Sequence, residues 1–357
     1  MPMPVARCRA AAAPLVACLV LGALAGCGEQ APTAPPRPSL AEFRGQTMGT
    51  TYTVKVVTPQ PLPDGERSAL ADAVAAALDA VDRRMSTYKP DSELSRFNRH
   101  ASTEPFTVSR EVLEVFTRAR EVSVASHGAF DVTVGPLVDA WGFGPAKRSS
   151  PPEAAEITAL LPRVGYGKIA LDPERLAVAK ARPDVEADFS GIAKGYGADV
   201  AGRALEARGV RNYMVAVSGD IRARGHNADG QPWQIAIERP DAHPQQGQYL
   251  VPLADRGIST SGDYRNYFER DGRRYSHEID PATGHPITHR LASVSVVAAE
   301  STLADAWATA LLVLGPDKGY RIAEEAGLAA FFIVRDADGT FRTRSTPAFA
   351  ALGGRPL

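Results

Sequence analysis

Asp305 and Thr309 stand four residues apart in "STLADAWATALLVLG". If that segment is helical, both side chains project from one face. A carboxylate and a hydroxyl there are hard oxygen donors of the kind Mg²⁺ takes, one or two from protein and the rest from phosphate or water. The same residues also fit a plainer pattern. Thr302-x-x-Asp305 spells a capping box, and a threonine inside a helix can bond its own backbone. Spacing leaves both readings open.

Two further stretches carry chemistry. "EADFSGIAKGYGADV" places Asp188 and Ser190, both good helix caps, before Gly191, Gly195 and Gly197. Each interior glycine costs a helix about 1 kcal/mol relative to alanine, so three ask for close approach of a ligand or of another backbone. A helix start attracts anions and Lys194 adds a full charge, yet the Gly-Lys-Ser/Thr ending of a phosphate-binding P-loop is missing. The other stretch is "RYSHEIDPATGHPI", Arg274 to Ile287. It sets His277 just before a turn built from Asp280, Pro281 and Gly284. Imidazole titrates near neutrality, which suits a general base, but a lone histidine is equally a surface residue.

These residues need elements to hold them. Thr51 to Val57 alternates like a half-buried strand, and Glu66 to Arg84 has apolar residues at helical spacing. "STYKPDSELSRFNRH" reads as a long polar loop. Ser109 to Ser126 reads as a helix capped by Ser109 without a reciprocal acid. "KIALD" and "LAVAK" form a hairpin, "NYMVAVSG" and "WQIAIERP" are strands, and "AKGYGADVAGRALEARG" is a helix. "ASVSVVAA" and "AAFFIVRD" are late strands around the Asp305 helix, which Gly315-Pro316 closes. A turn at Asp271-Gly272 makes a hairpin of Tyr264–Phe268 and Arg274–Ile279. Strands and helices mix without regular βαβ alternation. The expected class is therefore α+β, with mixed or antiparallel sheets, packed helices and two closely joined lobes.

The N-terminus reads differently. Arg7 and Arg9 precede an apolar run, Ala10 to Ala25, that is too short for a membrane span and has the length of a secretory leader. It ends in Leu24-Ala25-Gly26-Cys27, which resembles a bacterial lipobox. Residues 1–26 are then a signal peptide, Cys27 the lipidated residue and residues 27–42 a Pro-rich tether to the membrane. All three cysteines fall in this segment, so the domain expected at 43–350 has no disulfide, zinc-thiolate site or cysteine nucleophile. Losing Arg7 and Arg9 takes the formal charge from −1 to −3. No basic stripe with interleaved aromatics is present, so no nucleic-acid partner is expected.

Taken together and in order, "GQTMGTTYTVKV", "MSTYKPDSELSRFN", "GAFDVTVGPLVDAWGFG", "DFSGIAKGYGADV", "STSGDYRNYF", "YSHEIDPATGHPI" and "ADAWATALLVLG" resemble the ApbE-type FAD:protein FMN transferases. The resemblance spans roughly residues 43 to 340. It implies transfer of the FMN half of FAD to a threonine or serine hydroxyl of a target protein, with release of AMP. It further implies His277 as base and Gly191, Asp305 and Thr309 as ligands of Mg²⁺ (Mn²⁺ being possible). FAD contacts are expected from Met48, Tyr88, Ala129, Phe130, Asp131, Asp188, Lys194 and Ile279. Implied acceptors are the flavinylated subunits of sodium-pumping NADH:quinone reductases (Nqr) or Rnf-type complexes. The implied location is the periplasmic side of the inner or outer membrane.

Two residues depart from the family pattern. Glu278 follows the histidine where an aliphatic residue is usual, and on strand alternation it faces away from His277. Ser218 replaces the first glycine of a Gly-Gly-Asp turn. The same site could also hydrolyse FAD to FMN and AMP, or hold a flavin without turnover.

Overall fold

The computed structural model describes residues 38–357 apart from 146, 147, 149, 242–244, 265, 266, 271 and 272. The leader, Cys27, most of the tether and the Asp271-Gly272 turn lie outside the described residues.

Eight strands form the central sheet: β1 (Ser39–Thr47), β2 (Thr50–Thr58), β3 (Asn212–Val217), β4 (Asp220–Arg224), β5 (Arg256–Gly262), β6 (Leu291–Ala298), β7 (Ala329–Arg335) and β8 (Phe341–Ser345). Their order in the sheet is their order in the chain, and every neighbouring pair is antiparallel. The sheet is thus a meander whose connections have been enlarged. The connection from β2 to β3 carries six helices: α1 (Asp64–Met85), α2 (Glu93–Arg99), α3 (Arg110–Ala125), α4 (Gly135–Ala140), α5 (Ala154–Leu160) and α6 (Ala193–Glu206). Between β6 and β7 lies α7 (Ser301–Glu325), and α8 (Pro347–Ala350) follows β8.

Alternation along the strands builds two cores. On β6 and β7, Val294, Val296, Phe332 and Val334 face α3, α6 and α7, packing with Phe116, Leu311 and Leu312. Val297, Phe331 and Ile333 point the other way, toward a three-stranded sheet carrying Trp233, Ile235 and Val251. Sidedness of this kind follows from the two-residue strand period. Residues Arg37–Leu357 form one compact unit, and the antiparallel α+β architecture agrees with the sequence reading.

Some local expectations need correction. The polar stretch after α1 contains a helix, α2, with Ser92 as N-cap accepting from Ser95 N at 2.9 Å. Its Leu94 and Phe97 are fully buried, so a polar-looking segment became helical by placing two apolar residues inward. The reciprocal acid missing from α3 comes from α2, because Ser109 N–H donates to Glu93 Oε1. The chain does leave the helix at Gly315 (φ 80, ψ −179), but a further helical stretch begins at Pro316, a residue suited to a first turn. The hairpin around residues 271 and 272 pairs Tyr267–Arg270 with Arg273–Ser276, shorter and shifted from the expected limits.

Candidate active site

Two hairpin tips and two helix starts converge at one end of the sheet. Met48-Gly49 joins β1 to β2 with both residues at positive φ (46° and 69°), the geometry of a two-residue hairpin turn. Ser218-Gly219 joins β3 to β4, and Ser218 N–H donates to Thr51 O at 3.0 Å, tying the two tips together. Ser218 holds φ 57, a left-handed conformation that costs a side chain roughly 1–2 kcal/mol.

The starts of α6 and α7 cross so closely that a Cβ at Gly195 would lie 2.3 Å from Ser301 O. Each helix supplies a carboxylate to the other. Asp199 of α6 accepts from Ser301 N (3.0 Å), Thr302 N (2.8 Å) and Thr302 Oγ1 (2.6 Å), capping α7. In return Asp305 Oδ2 accepts from Gly195 N at 2.9 Å. The capping-box alternative for Thr302 and Asp305 is therefore not formed: the cap comes from Asp199. Gly195 and Gly197 serve helix packing, the latter against Met48 Cε and Leu78. Gly191 differs, because its backbone abuts Thr309 Oγ1 and the Phe130 ring, with 3.1 and 3.2 Å from an added Cβ.

Between these elements lies a cavity of about 1460 Å³. Common small-molecule sites span roughly 300–1,000 Å³, so this one has room for a larger ligand. Met48, Tyr88, Ala129, Phe130, Asp131, Asp188, Gly191, Lys194, His277, Ile279, Asp305 and Thr309 all line it. Every site residue named from the sequence, Cys27 apart, thus meets in one cavity.

Their side chains are not equally directed at it. Asp131 accepts from Thr133 N (2.8 Å), Thr133 Oγ1 (2.6 Å) and Tyr166 N (2.7 Å), so both its oxygens serve the local fold. Burial raises its pKa, and those hydrogen bonds oppose the rise. Ile279 is 4% exposed and packs with Leu137 and Trp141. Asp188 Oδ1 holds Ser190 N and Oγ in a tight turn ahead of α6. Tyr88, by contrast, is 63% exposed, a flat ring at the mouth.

At the cavity floor the charges are concentrated. Lys194 Nζ lies 3.6 Å from Asp220 Oδ2 and 3.9 Å from Asp305 Oδ2. Burial and the neighbouring Asp220 push the Asp305 carboxyl up to about 7, against the pull of Lys194 and the Gly195 N–H. For Lys194, burial lowers the pKa but the Asp305 and Asp220 carboxylates overcome it, leaving the ammonium above its usual range. Asp220 is itself fixed by Ser259 Oγ. Ser261 Oγ lies 3.4 Å from Thr309 Oγ1. Asp220, Ser259 and Ser261 were not singled out from the sequence. The signal was there: two serines with period two in a central strand put two hydroxyls on one face.

His277 sits on a bend between Ser276 and Ile279, where strand pairing stops. Glu278 consequently does not face the opposite side. Its Oε1 lies 3.3 Å from His277 Nε2, and it lines the cavity with a side chain only 12% exposed. Strand alternation failed here because the strand is interrupted at that dipeptide. The turn that follows is rigid. Asp280 accepts from Ala282 N (2.9 Å), Thr283 Oγ1 (3.2 Å) and Gly284 N (2.8 Å), the last at its backbone carbonyl, while Trp141 Nε1 donates to Gly284 O at 2.8 Å.

The donor set at the floor suits a divalent cation. A buried carboxylate, a hydroxyl and a nearby glycine backbone are hard oxygen donors, and a carboxyl that resists ionisation when alone gains most from a cation. Among the described residues no three His, Cys, Asp or Glu side chains converge as a ready-made cage. Such an ion would need ligand oxygens to complete its shell.

An antiparallel α+β scaffold with a large charged cavity at crossing helix starts defines the class of protein. The profile of the ApbE family matches residues 48–332, and the chain belongs to that family. It is 42% identical over 341 residues to an FAD:protein FMN transferase of Klebsiella pneumoniae, covering 95% of each chain. It is 45% identical over 320 residues to one from Haemophilus influenzae, covering 86% of this chain and 90% of that one. The solved flavin transferase ApbE from Vibrio cholerae superposes with a TM-score of 0.80 at 40% identity, over 88% of this chain and 99% of that one.

Proposed function

We propose that this protein is an FAD:protein FMN transferase, moving the FMN half of FAD onto a threonine or serine hydroxyl of a target protein. The observation that carries the reading is the gathering of His277, Lys194, Asp305 and Thr309 around one cavity in a chain of this family. In the reaction the acceptor oxygen bonds to the FMN phosphorus, the pyrophosphate P–O bond breaks, and AMP leaves. His277 takes the hydroxyl proton. Lys194 offsets phosphate charge, and Tyr88 and Phe130 offer flat faces to the ring systems of FAD. Asp305, Thr309 and the Gly191 carbonyl would hold Mg²⁺, or Mn²⁺. Bound there, the ion would neutralise pyrophosphate oxygens and stabilise the charge that develops during transfer.

The leader and Cys27 support a lipid-anchored protein on the periplasmic side of the inner or outer membrane. Among the described residues no helix is long and apolar enough to cross a membrane, so attachment would rest on lipid at Cys27. Flavinylated subunits of Nqr or Rnf type are suitable acceptors.

The test is mass spectrometry of such an acceptor after incubation with FAD, Mg²⁺ and this protein, with AMP followed in parallel. Gain of one FMN with equal AMP is expected. AMP release that ignores the acceptor would replace transfer by hydrolysis, and FAD retention without AMP would reduce the protein to a flavin binder.

A further inference from the structure

FMN has to meet its acceptor while FAD is still bound, so a stretch of the target protein must enter the cavity beside it. We infer that the strand Trp233–Glu238 is the docking edge for that stretch, which adds to it as one further β-strand and so carries its threonine or serine into the cavity. The inference rests on the transferase reading.

Trp233–Glu238 lies at one end of the three-stranded sheet, where it pairs with Gly247–Leu253, which in turn pairs with Arg355–Pro356. Among the described residues no strand pairs with its other side. The register fixes which backbone groups face outward. Leu357 N donates to Gln248 O at 3.0 Å and Arg355 lies opposite Leu250, so even-numbered residues of the middle strand turn to the C-terminal strand. Its odd-numbered residues Tyr249 and Val251 therefore turn to their partners Ile237 and Ile235. That directs the N–H and C=O of Ala236 toward the open edge, and Ala236 is exposed. The same edge is a wall of the cavity: Ile235, Ala236, Ile237 and Glu238 line it together with His277 and Lys194. Open edges commonly carry a lysine or a proline that discourages pairing. Trp233 to Ile237 has neither, whereas Pro232 and Pro240 bracket the strand and keep it short. A peptide that enters a cavity loses water from its own N–H and C=O groups, and each then needs a partner. An edge strand supplies those partners and holds the peptide extended, so that one side chain is presented at a defined place.

The experiment is amide hydrogen exchange on the whole protein, with FAD present throughout. The probe is a soluble Nqr-type acceptor domain whose target threonine is replaced by valine, so that the complex does not turn over. Exchange at Ala236 should slow about tenfold or more when the probe is added, while Ile235 and Ile237, already bonded within the sheet, stay slow in both states. Ala236→Pro removes the outward N–H and leaves the existing ladder intact, as an edge position allows. It should raise KM for the unaltered acceptor domain about tenfold, the loss of one backbone hydrogen bond, with the Kd for FAD unmoved. An Ala236 amide that exchanges alike with and without the probe, or a KM for the acceptor indifferent to Ala236→Pro, overturns the inference. The exchange result decides by itself if the proline variant does not fold. A native protein that moves no FMN to the unaltered acceptor domain would instead defeat the transferase reading, and this inference with it.

Discussion

The α6–α7 junction and the Ser276–Ile287 segment both deliver charged groups to the cavity, by opposite means. At the junction the backbones touch, glycine is required, and the carboxylates of Asp199 and Asp305 each accept from backbone N–H groups of the other helix. In the Ser276–Ile287 segment the turn is set locally, by Asp280 and the Ser276 hydroxyl, and is held in place by Trp141 on the Gly284 carbonyl and by the apolar packing of Ile279. The junction sets up a strong field at a fixed point. The local turn places one imidazole at the same cavity. Damage to the first should therefore cost stability and metal binding together, whereas damage to the second should cost turnover alone.

His277→Ala tests the second half of that contrast and carries the largest effect. Transfer should fall by about 10²–10⁴-fold while FAD binding and the melting temperature stay put. Transfer at the native rate would remove His277 from its role.

Asp305 tests the first half. With its carboxyl near 7, a proton competes with Mg²⁺ below neutrality. Affinity for Mg²⁺, measured by titration calorimetry, should rise about tenfold from pH 6 to pH 8 and become weak and flat in Asp305→Asn. The sign for stability is opposite. An acid whose folded value exceeds its unfolded one disfavours the fold once ionised. Metal-free protein should therefore lose this contribution as pH rises from the ordinary carboxylate range through about 7. An affinity independent of pH would mean that Asp305 does not bind the ion.

Gly195→Ala would force a Cβ to within 2.3 Å of the Ser301 carbonyl, a backbone atom that cannot swing aside. Denaturant melts should show a loss of roughly 1–3 kcal/mol. Mg²⁺ affinity should fall with it, since the Gly195 N–H holds Asp305. Loss of stability with metal binding intact would uncouple the two.

Ser218→Gly is the gentlest probe. Relieving the left-handed strain against the extra chain entropy of glycine should leave a gain of about 0.5 kcal/mol. A loss instead would mean that the Ser218 side chain makes a contact that outweighs its strain.

Much of this was legible in the residues themselves. Alternation located β2, short apolar segments marked β3, β6 and β7, the 3.6-residue period located α1, and the segment capped by Ser109 was read as α3. The Asp280 turn and the cap at Ser109 were visible because turn and cap chemistry act over three or four residues. The family resemblance named a set of residues that the structure gathers in one cavity. What stayed hidden involves partners far apart in sequence or a break in a local rule. Helix α2 was missed because its polar composition concealed two buried apolar positions, Leu94 and Phe97.

By itself the sequence determined the element types, the α+β class, the turn that carries His277 and the absence of thiol chemistry beyond residue 27. Those depend on periodicity, on side chains acting on nearby backbone, and on composition. Tertiary structure alone decided three other matters. Asp199, a hundred residues away, caps α7 and leaves Asp305 to the cavity. Lys194 lies between Asp220 and Asp305. Glu278 turns toward His277 and not away from it. Each is a contact between groups whose positions depend on how helices cross or where a strand stops, and no local pattern encodes that.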